Sequence, residues 1–424
     1  MKRSTRFAVA ASLLSALGLP LLATAATAAT TSTPSASTPS ASGLPQAATG
    51  TLTASPTSVS FGNITLGDFS PTSDVTLTNN GTTPVTITSV TLGGENNDFG
   101  ETDNCAALAA GASCVVQVIF VPGALGARTA TLTPQAGTAA APVVTLGGTG
   151  TEGYYEVTAQ GAVDAHGDAT QQGGAAGSAL AKPIVASATT GDDAGYWLAA
   201  SDGGIFTYGD AAFYGSTGAI HLNKPIVGLA ATIDDKGYWL VASDGGIFTY
   251  GDALYYGSTG ALHLNAPIVG MATTADDQGY WLVASDGGVF AFGDATYYGS
   301  TGGKLLNAPI VGIAATPDGG GYWLVASDGG IFTFGDAAYY GSTGGIHLNK
   351  PIVGIAATPD GLGYWLMASD GGIFTFGDAP FDQSSAGTSL SPFVSIAGDA
   401  PPTLQAILDQ PADRRLAAER RLAR

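Results

Sequence analysis

At 424 residues, with 45% hydrophobic and only 11% charged residues, the chain has the composition of a packed protein of two or three domains, with disorder confined to linkers and ends. Fourteen basic residues stand against 33 acidic ones, a formal charge of −19, so a phosphate backbone is repelled and no nucleic acid is expected as a partner.

Residues 1–28 carry Lys2, Arg3 and Arg6, an apolar run from Phe7 to Ala23, and small-residue cleavage sites at Ala23-Thr24-Ala25 or Ala26-Thr27-Ala28. This is the layout of a secretory signal peptide. Gly18 and Pro20 interrupt a run already short for a membrane span. The mature chain is therefore expected to be extracellular or at the cell envelope, and not membrane-spanning. Residues 29–50 are built from Ser, Thr, Pro and Ala, which bury too little surface to offset the entropy of ordering, and read as a flexible linker.

Residues 51–150 alternate short Val, Ile, Thr and Leu runs with turn residues: Val75 to Thr78 precedes Asn79-Asn80-Gly81, and Val85 to Val90 precedes Gly93-Gly94. The pattern predicts an antiparallel β-sandwich of about 100 residues. The only two cysteines, Cys105 and Cys114, lie here, and in an exported chain such a pair is most simply a disulfide. No His lies nearby to complete a metal site, so none is expected. Val59-Ser60-Phe61-Gly62-Asn63, the Leu77 to Gly81 stretch, the Cys105 to Cys114 loop, Phe120-Val121-Pro122 and Leu146 to Gly150 together resemble a known family. It is that of the immunoglobulin-like domains of the ASPM, SPD-2 and Hydin type, called choice-of-anchor D domains in secreted bacterial proteins. The resemblance implies a seven-stranded sandwich used as a spacer or binding module.

From 151 to 399 a 42-residue unit recurs, with Trp197, Trp239, Trp281, Trp323 and Trp365 in strict register. Four candidate strands per unit is the size of a β-propeller blade. In the last full copy three of them are Pro351 to Ala357, Tyr364 to Ala368 and Ile373 to Phe376, and Tyr339-Tyr340 marks where a fourth lies. The continuous apolar run Tyr322 to Ala326 suits a strand covered on both faces, and the Gly/Ala-rich first strand suits crowding at a central axis. Gly153 to Gly161 with Gly167-Asp168-Ala169 forms a degenerate sixth copy without its first strand, and Pro392 to Ala397 is a first strand without a following unit. The two halves complete one another, which predicts a six-bladed β-propeller closed by strand exchange between its ends. An open β-solenoid is the alternative, given a superficial similarity of Tyr-Tyr-Gly-Ser-Thr-Gly to aromatic cell-wall-binding repeats about half as long. The unit itself resembles tandem Gly-Tyr-Trp-Leu-Val-Ala-Ser-Asp-Gly-Gly-Ile-Phe repeats of secreted actinobacterial proteins, closely over 195–378. That resemblance implies a fold and a location more than an activity.

The mid-strand tryptophans are read as core and not as sugar platforms. Asp202, Asp244, Asp286, Asp328 and Asp370 fall on one predicted face near Asn223, Asn265, Asn307 and Asn349, a candidate surface for a glycan or Ca²⁺. Tight hairpins demand the same Asp and Gly, and no unit has the dense acidic spacing of a calcium loop, so the turn role is favoured. Of the four histidines, His221, His263 and His347 repeat once per unit and cannot form a triad, and no His-Glu-x-x-His, Gly-x-Ser-x-Gly or phosphate-loop pattern occurs. No catalytic residue and no cofactor is therefore expected. If the chain is an enzyme, the asymmetric cluster Glu156, Asp164 and His166 is where its site lies. Residues 400–424, with Arg414, Arg415, Arg420 and Arg421, make a basic tail compatible with a short helix. The reading is an all-β, monomeric, non-enzymatic binding or adhesion protein whose partner is a cell-wall or extracellular glycan or another surface protein. The alternatives are a carbohydrate-active hydrolase or lyase, or a pure spacer.

Overall fold

The computed structural model describes residues 51–399 apart from 67, 95, 96 and 138–140. The expected signal peptide, linker and basic tail lie outside the described residues. Regular structure among the described residues is entirely β, and none of it is a helix long and apolar enough to cross a membrane.

The first ten strands are β1 (Leu52–Ser55), β2 (Ser58–Thr65), β3 (Ser73–Asn79), β4 (Val85–Thr86), β5 (Ser89–Gly94), β6 (Phe99–Asp103), β7 (Ala107–Leu108), β8 (Ser113–Phe120), β9 (Gly126–Gln135) and β10 (Val144–Thr151). They form two four-stranded sheets, β1-β3-β8-β6 and β2-β10-β9-β5, and a small β4-β7 pair. Period-two alternation buries Val75 and Leu77 on β3, Val116 and Val118 on β8, and Ala130 and Leu132 on β9. With Val144 and Leu146 these side chains make one shared core between the sheets. Cys105 and Cys114 are disulfide-bonded at 2.01 Å, tying the loop after β6 to β8.

Two features depart from the sequence expectation. The β2–β10 pair is parallel, so the segment is not purely antiparallel. These strands come from opposite ends of the segment, and no hairpin between them forces opposite directions. The Val85 to Val90 run is not one strand: Ile87 N–H turns to the Ala106 carbonyl and Thr88 N–H to that of Gln135. The chain thereby changes partner, from β7 before the break to β9 after it.

Next come β11 (Tyr154–Thr158) and β12 (Val163–His166), then five triplets of inner, middle and outer strand. The triplets are β13 (Ile184–Thr189), β14 (Gly195–Ala200), β15 (Ile205–Gly209); β16 (Ile226–Ala231), β17 (Gly237–Ala242), β18 (Ile247–Gly251); β19 (Ile268–Thr273), β20 (Gly279–Ala284), β21 (Val289–Gly293); β22 (Ile310–Ala315), β23 (Gly321–Ala326), β24 (Ile331–Gly335); and β25 (Ile352–Ala357), β26 (Gly363–Ala368), β27 (Ile373–Gly377). The last strand is β28 (Phe393–Gly398), which pairs with β11 to make the sixth three-stranded sheet, β12-β11-β28. All six sheets are antiparallel.

Every residue of the five tryptophan-bearing middle strands is buried, as the continuous apolar runs require. All five tryptophans are 0% exposed, which bears out their reading as core. Each indole N–H is satisfied by the carbonyl fifteen residues on, for example Trp239 to Leu254 at 2.7 Å and Trp281 to Thr296 at 2.8 Å.

The expected fourth strand is absent: residues 338–342 carry no ladder. Side-chain hydroxyls hold this segment instead. Tyr364 Oη donates to the Gly341 carbonyl at 2.6 Å and accepts from Tyr340 N–H at 3.2 Å, binding the segment to the following repeat. A backbone satisfied in this way needs no strand partner.

Inner strands lie side by side, β13 by β16, β16 by β19, β19 by β22, β22 by β25 and β25 by β28, and β28 lies by β13. At four of these junctions a glycine faces an aliphatic side chain of the next strand. A Cβ on Gly270 would sit 3.7 Å from Ile313 Cγ2, on Gly312 3.4 Å from Ile355 Cγ2, and on Gly354 3.1 Å from Ile396 Cγ2; for Gly228 the neighbour is Met271 Cγ at 3.7 Å. The β28–β13 junction differs, with Ser395 and Ser187 at the corresponding positions and their hydroxyls 2.8 Å apart.

Candidate functional site

The five repeated aspartates sit in the turn between middle and outer strand, and each carboxylate accepts the backbone N–H two residues on. The bonds are Asp202 to Gly204, Asp244 to Gly246 and Asp286 to Gly288 at 3.0 Å, Asp328 to Gly330 at 2.9 Å and Asp370 to Gly372 at 3.2 Å. This is the Asx-turn role that Asp takes in tight hairpins. The next residue in these turns must be glycine, because Gly203 has φ +78° and an added Cβ would overlap Thr217 Oγ1 at 1.6 Å. Thr217 in turn donates to the Asp202 carbonyl at 3.0 Å, which makes the Ser-Thr-Gly segment a lock on the hairpin.

Asn223, Asn265, Asn307 and Asn349 are exposed on the connections leading into the inner strands. Asn223 and Asp244 line one shallow depression of about 260 Å³ together with His221 and Lys224. Asn349 and Asp328 line another, of about 350 Å³, with His347 and Lys350. The expected Asp–Asn juxtaposition is thus present in these two repeats, each with a lysine alongside.

The asymmetric cluster is assembled, with Glu156 buried and Asp164 and His166 half-buried. Glu156 is 0% exposed on β11; its carboxylate accepts from Ser385 N–H at 3.0 Å and lies 3.4 Å from His166 Nε2. His166 Nε2 also meets Ser385 Oγ at 3.1 Å. Asp164 pairs with Glu156 across the β11–β12 ladder. Glu156 stands where other repeats place a middle-strand leucine, and its contacts tie β11 to the segment before β28.

At the opposite end of the inner strands lies a cavity of about 490 Å³, lined by small residues such as Ala230, Ala272 and Ala315 together with Asp235, Asp277 and Asp399. Asp235 takes the Gly191 N–H at 3.0 Å and Asp277 the Ile233 N–H at 2.5 Å, each reaching the turn of the preceding sheet. Burial raises both carboxyls to about 6, against the pull of those N–H groups. Asp399 is raised to about 10, by burial first and then by the charges of Asp193 and Asp168. Nearby Glu152 is raised to about 9 by burial and by Asp360, and neither of its oxygens has a hydrogen-bond partner among the described residues. Asp168 ties this acidic region to β2 and β10, accepting Thr65 Oγ1 at 2.9 Å and Thr151 Oγ1 at 2.5 Å. No group of three or more ligating side chains is preassembled for a metal among the described residues. Sequence reading missed this acidic region because its members are far apart in the chain.

It also missed a set of exposed aromatic rings. Phe213, Tyr255, Tyr297, Tyr339 and Phe381 occupy one register position, three residues after the Asp of each Gly-Asp-Ala, and are 57–62% exposed. The residue after each of the first four is a tyrosine turned inward: Tyr214, Tyr256, Tyr298 and Tyr340 donate to carbonyls of the next repeat at 2.8–3.0 Å. Adjacent residues of an extended chain face opposite ways, so the aromatic doublet was the available signal.

No family model matches the chain, and no curated protein matches it. Among solved structures, the β-propeller domain of Myceliophteria thermophila Cps50 (Swd1) is similar at 12% identity over 50% of this chain and 72% of that one, with a TM-score of 0.34. A protein of unknown function from Porphyromonas gingivalis W83 is similar at 18% identity over 25% of this chain and 49% of that one, with a TM-score of 0.22. Likenesses this distant carry no argument about function.

Proposed function

We propose that the chain is a secreted or cell-envelope-associated binding and adhesion protein, with residues 51–150 as an immunoglobulin-like spacer of the choice-of-anchor D type and residues 151–399 as a six-bladed propeller closed by strand exchange. Two sheets sharing one core support the first assignment, and the pairing of β28 with β11 supports the second. The observation that carries the functional reading is repetition: near-identical connecting segments recur in successive sheets, and in three of them the threonine hydroxyl makes the same bond to the hairpin carbonyl, Thr217 to Asp202, Thr259 to Asp244 and Thr343 to Asp328. Identical surfaces on one rigid body gain avidity from a repetitive partner without any single strong site. Glu156 is sealed from substrate, which favours binding over hydrolase or lyase chemistry.

The test is binding of the full chain to arrays of glycans and surface proteins at high and low ligand density. Retention that rises steeply with density is expected. Density-independent binding, absence of binding, or cleavage of a polysaccharide would overturn the reading.

A further inference from the structure

Scattered exposed hydrophobics are ordinary on a protein surface, but a large ring at the same register position in repeat after repeat is a regular array. Five of the six repeats here present one, at Phe213, Tyr255, Tyr297, Tyr339 and Phe381. The sixth carries Gln171 instead, and that repeat is the one whose Asp168, three residues earlier, is bonded to Thr65 on β2 and Thr151 at the end of β10. The ring is thus missing at the repeat that Asp168 ties to β2 and β10. We propose that these five rings are stacking stations for a neutral polysaccharide, one sugar-binding contact per repeat; the proposal rests on the multivalent-binding reading and names its ligand class.

Three observations select this occupant. The rings are single residues, one carried by each of five successive repeats. A protein partner favours a continuous core of buried contacts, whereas a polymer of identical units meets identical, separated platforms. The formal charge of −19 disfavours polyanions. Finally, three of the five rings are restrained before binding: Tyr255, Tyr297 and Tyr339 hydroxyls bond to Ser258, Ser300 and Ser342 Oγ at 3.2, 3.1 and 3.2 Å. A ring held by its own turn loses little rotamer freedom when a pyranose C–H face settles on it.

The surface differs from the Asp–Asn face considered from sequence, whose carboxylates are engaged in their own turns. It also differs from the buried tryptophans, which no ligand reaches.

The experiment is co-sedimentation of the full chain with cellulose, chitin and starch granules, and with an acidic polysaccharide gel, comparing wild type with a variant in which all five rings are serine. Wild type is expected on at least one neutral polymer, with the five-site variant weakened about 100-fold or more by lost avidity. Because the rings are mostly exposed, its melting midpoint should stay within about 3 °C of wild type. Should it misfold, Tyr255→Ser, Tyr297→Ser and Tyr339→Ser alone must each give a partial loss. Wild type and five-site variant binding equally well would overturn the ring assignment and leave multivalent binding intact, as would binding only to the acidic gel. Binding to none of these polymers and to nothing on the arrays would remove both.

Discussion

The hydroxyl of Ser395 on β28 lies 2.8 Å from that of Ser187 on β13, and Ser395 Oγ also accepts the Ser187 backbone N–H at 3.1 Å, joining residues 208 positions apart. At four of the other five inner-strand junctions glycine faces an aliphatic group. Ser187→Ala and Ser395→Ala are each expected to cost about 1 kcal/mol, with the double variant costing less than the sum. Ser187→Ile combined with Ser395→Gly recreates the common junction and should recover most of the loss. Urea unfolding midpoints check this, and strict additivity of the two alanine variants would show that the serines do not act together.

Trp281 is fully buried and its indole N–H is bonded to the Thr296 carbonyl, so Trp281→Ala removes both packing and a hydrogen bond. A destabilisation of about 3 to 5 kcal/mol is expected. Polysaccharide retention of the surviving folded fraction should be unchanged. A variant as stable as wild type that no longer binds would contradict the core role.

The tryptophan register made the sheets legible because a repeat that buries its middle strand on both faces must write that strand as an unbroken apolar run. Tyr322 to Ala326 does so. The fourth strand was misread because Tyr340 looks like a strand residue, while its backbone N–H is satisfied by the hydroxyl of Tyr364 from the next repeat. Which member of each aromatic pair faces solvent depends on that contact between repeats, and no single unit reveals it. The acidic region was hidden for a different reason: Glu152, Asp168 and Asp399 are brought together only when β28 joins β11.

Stability should fall as pH rises. Burial, aided by Asp360 and Asp193 respectively, lifts Glu152 to about 9 and Asp399 to about 10. Unfolded carboxyls titrate near about 4, so the folded chain holds these protons more tightly. The stabilisation is complete below about pH 4 and is lost as pH climbs through the folded values. Asp68, Asp235 and Asp277, lifted to about 6, add to the loss between about pH 4 and 6. Calorimetric melting midpoints are expected to drop by more than about 5 °C from pH 5 to pH 9. Glu152→Gln should flatten this slope. A midpoint that rises over the same range would refute the account.

Reducing the Cys105–Cys114 disulfide, or replacing both residues with serine, should cost the 51–150 segment about 2 to 3 kcal/mol. Chemical denaturation with and without reductant, followed at residues 51–150 by hydrogen exchange, measures it. Equal protection in both states would show that the covalent link adds nothing beyond the surrounding core.

The β12-β11-β28 sheet has a consequence for the order of synthesis. Strands β11 and β12 leave the ribosome before the five tryptophan-bearing sheets, and their partner β28 leaves after all five. Until then β11 keeps an unpaired edge, and Glu156 lacks the Ser385 N–H that satisfies it. The earliest repeat made is the last to be finished. A chain interrupted anywhere before Phe393 carries a permanent mark of incompleteness, an open strand edge available to proteases or to a neighbouring chain.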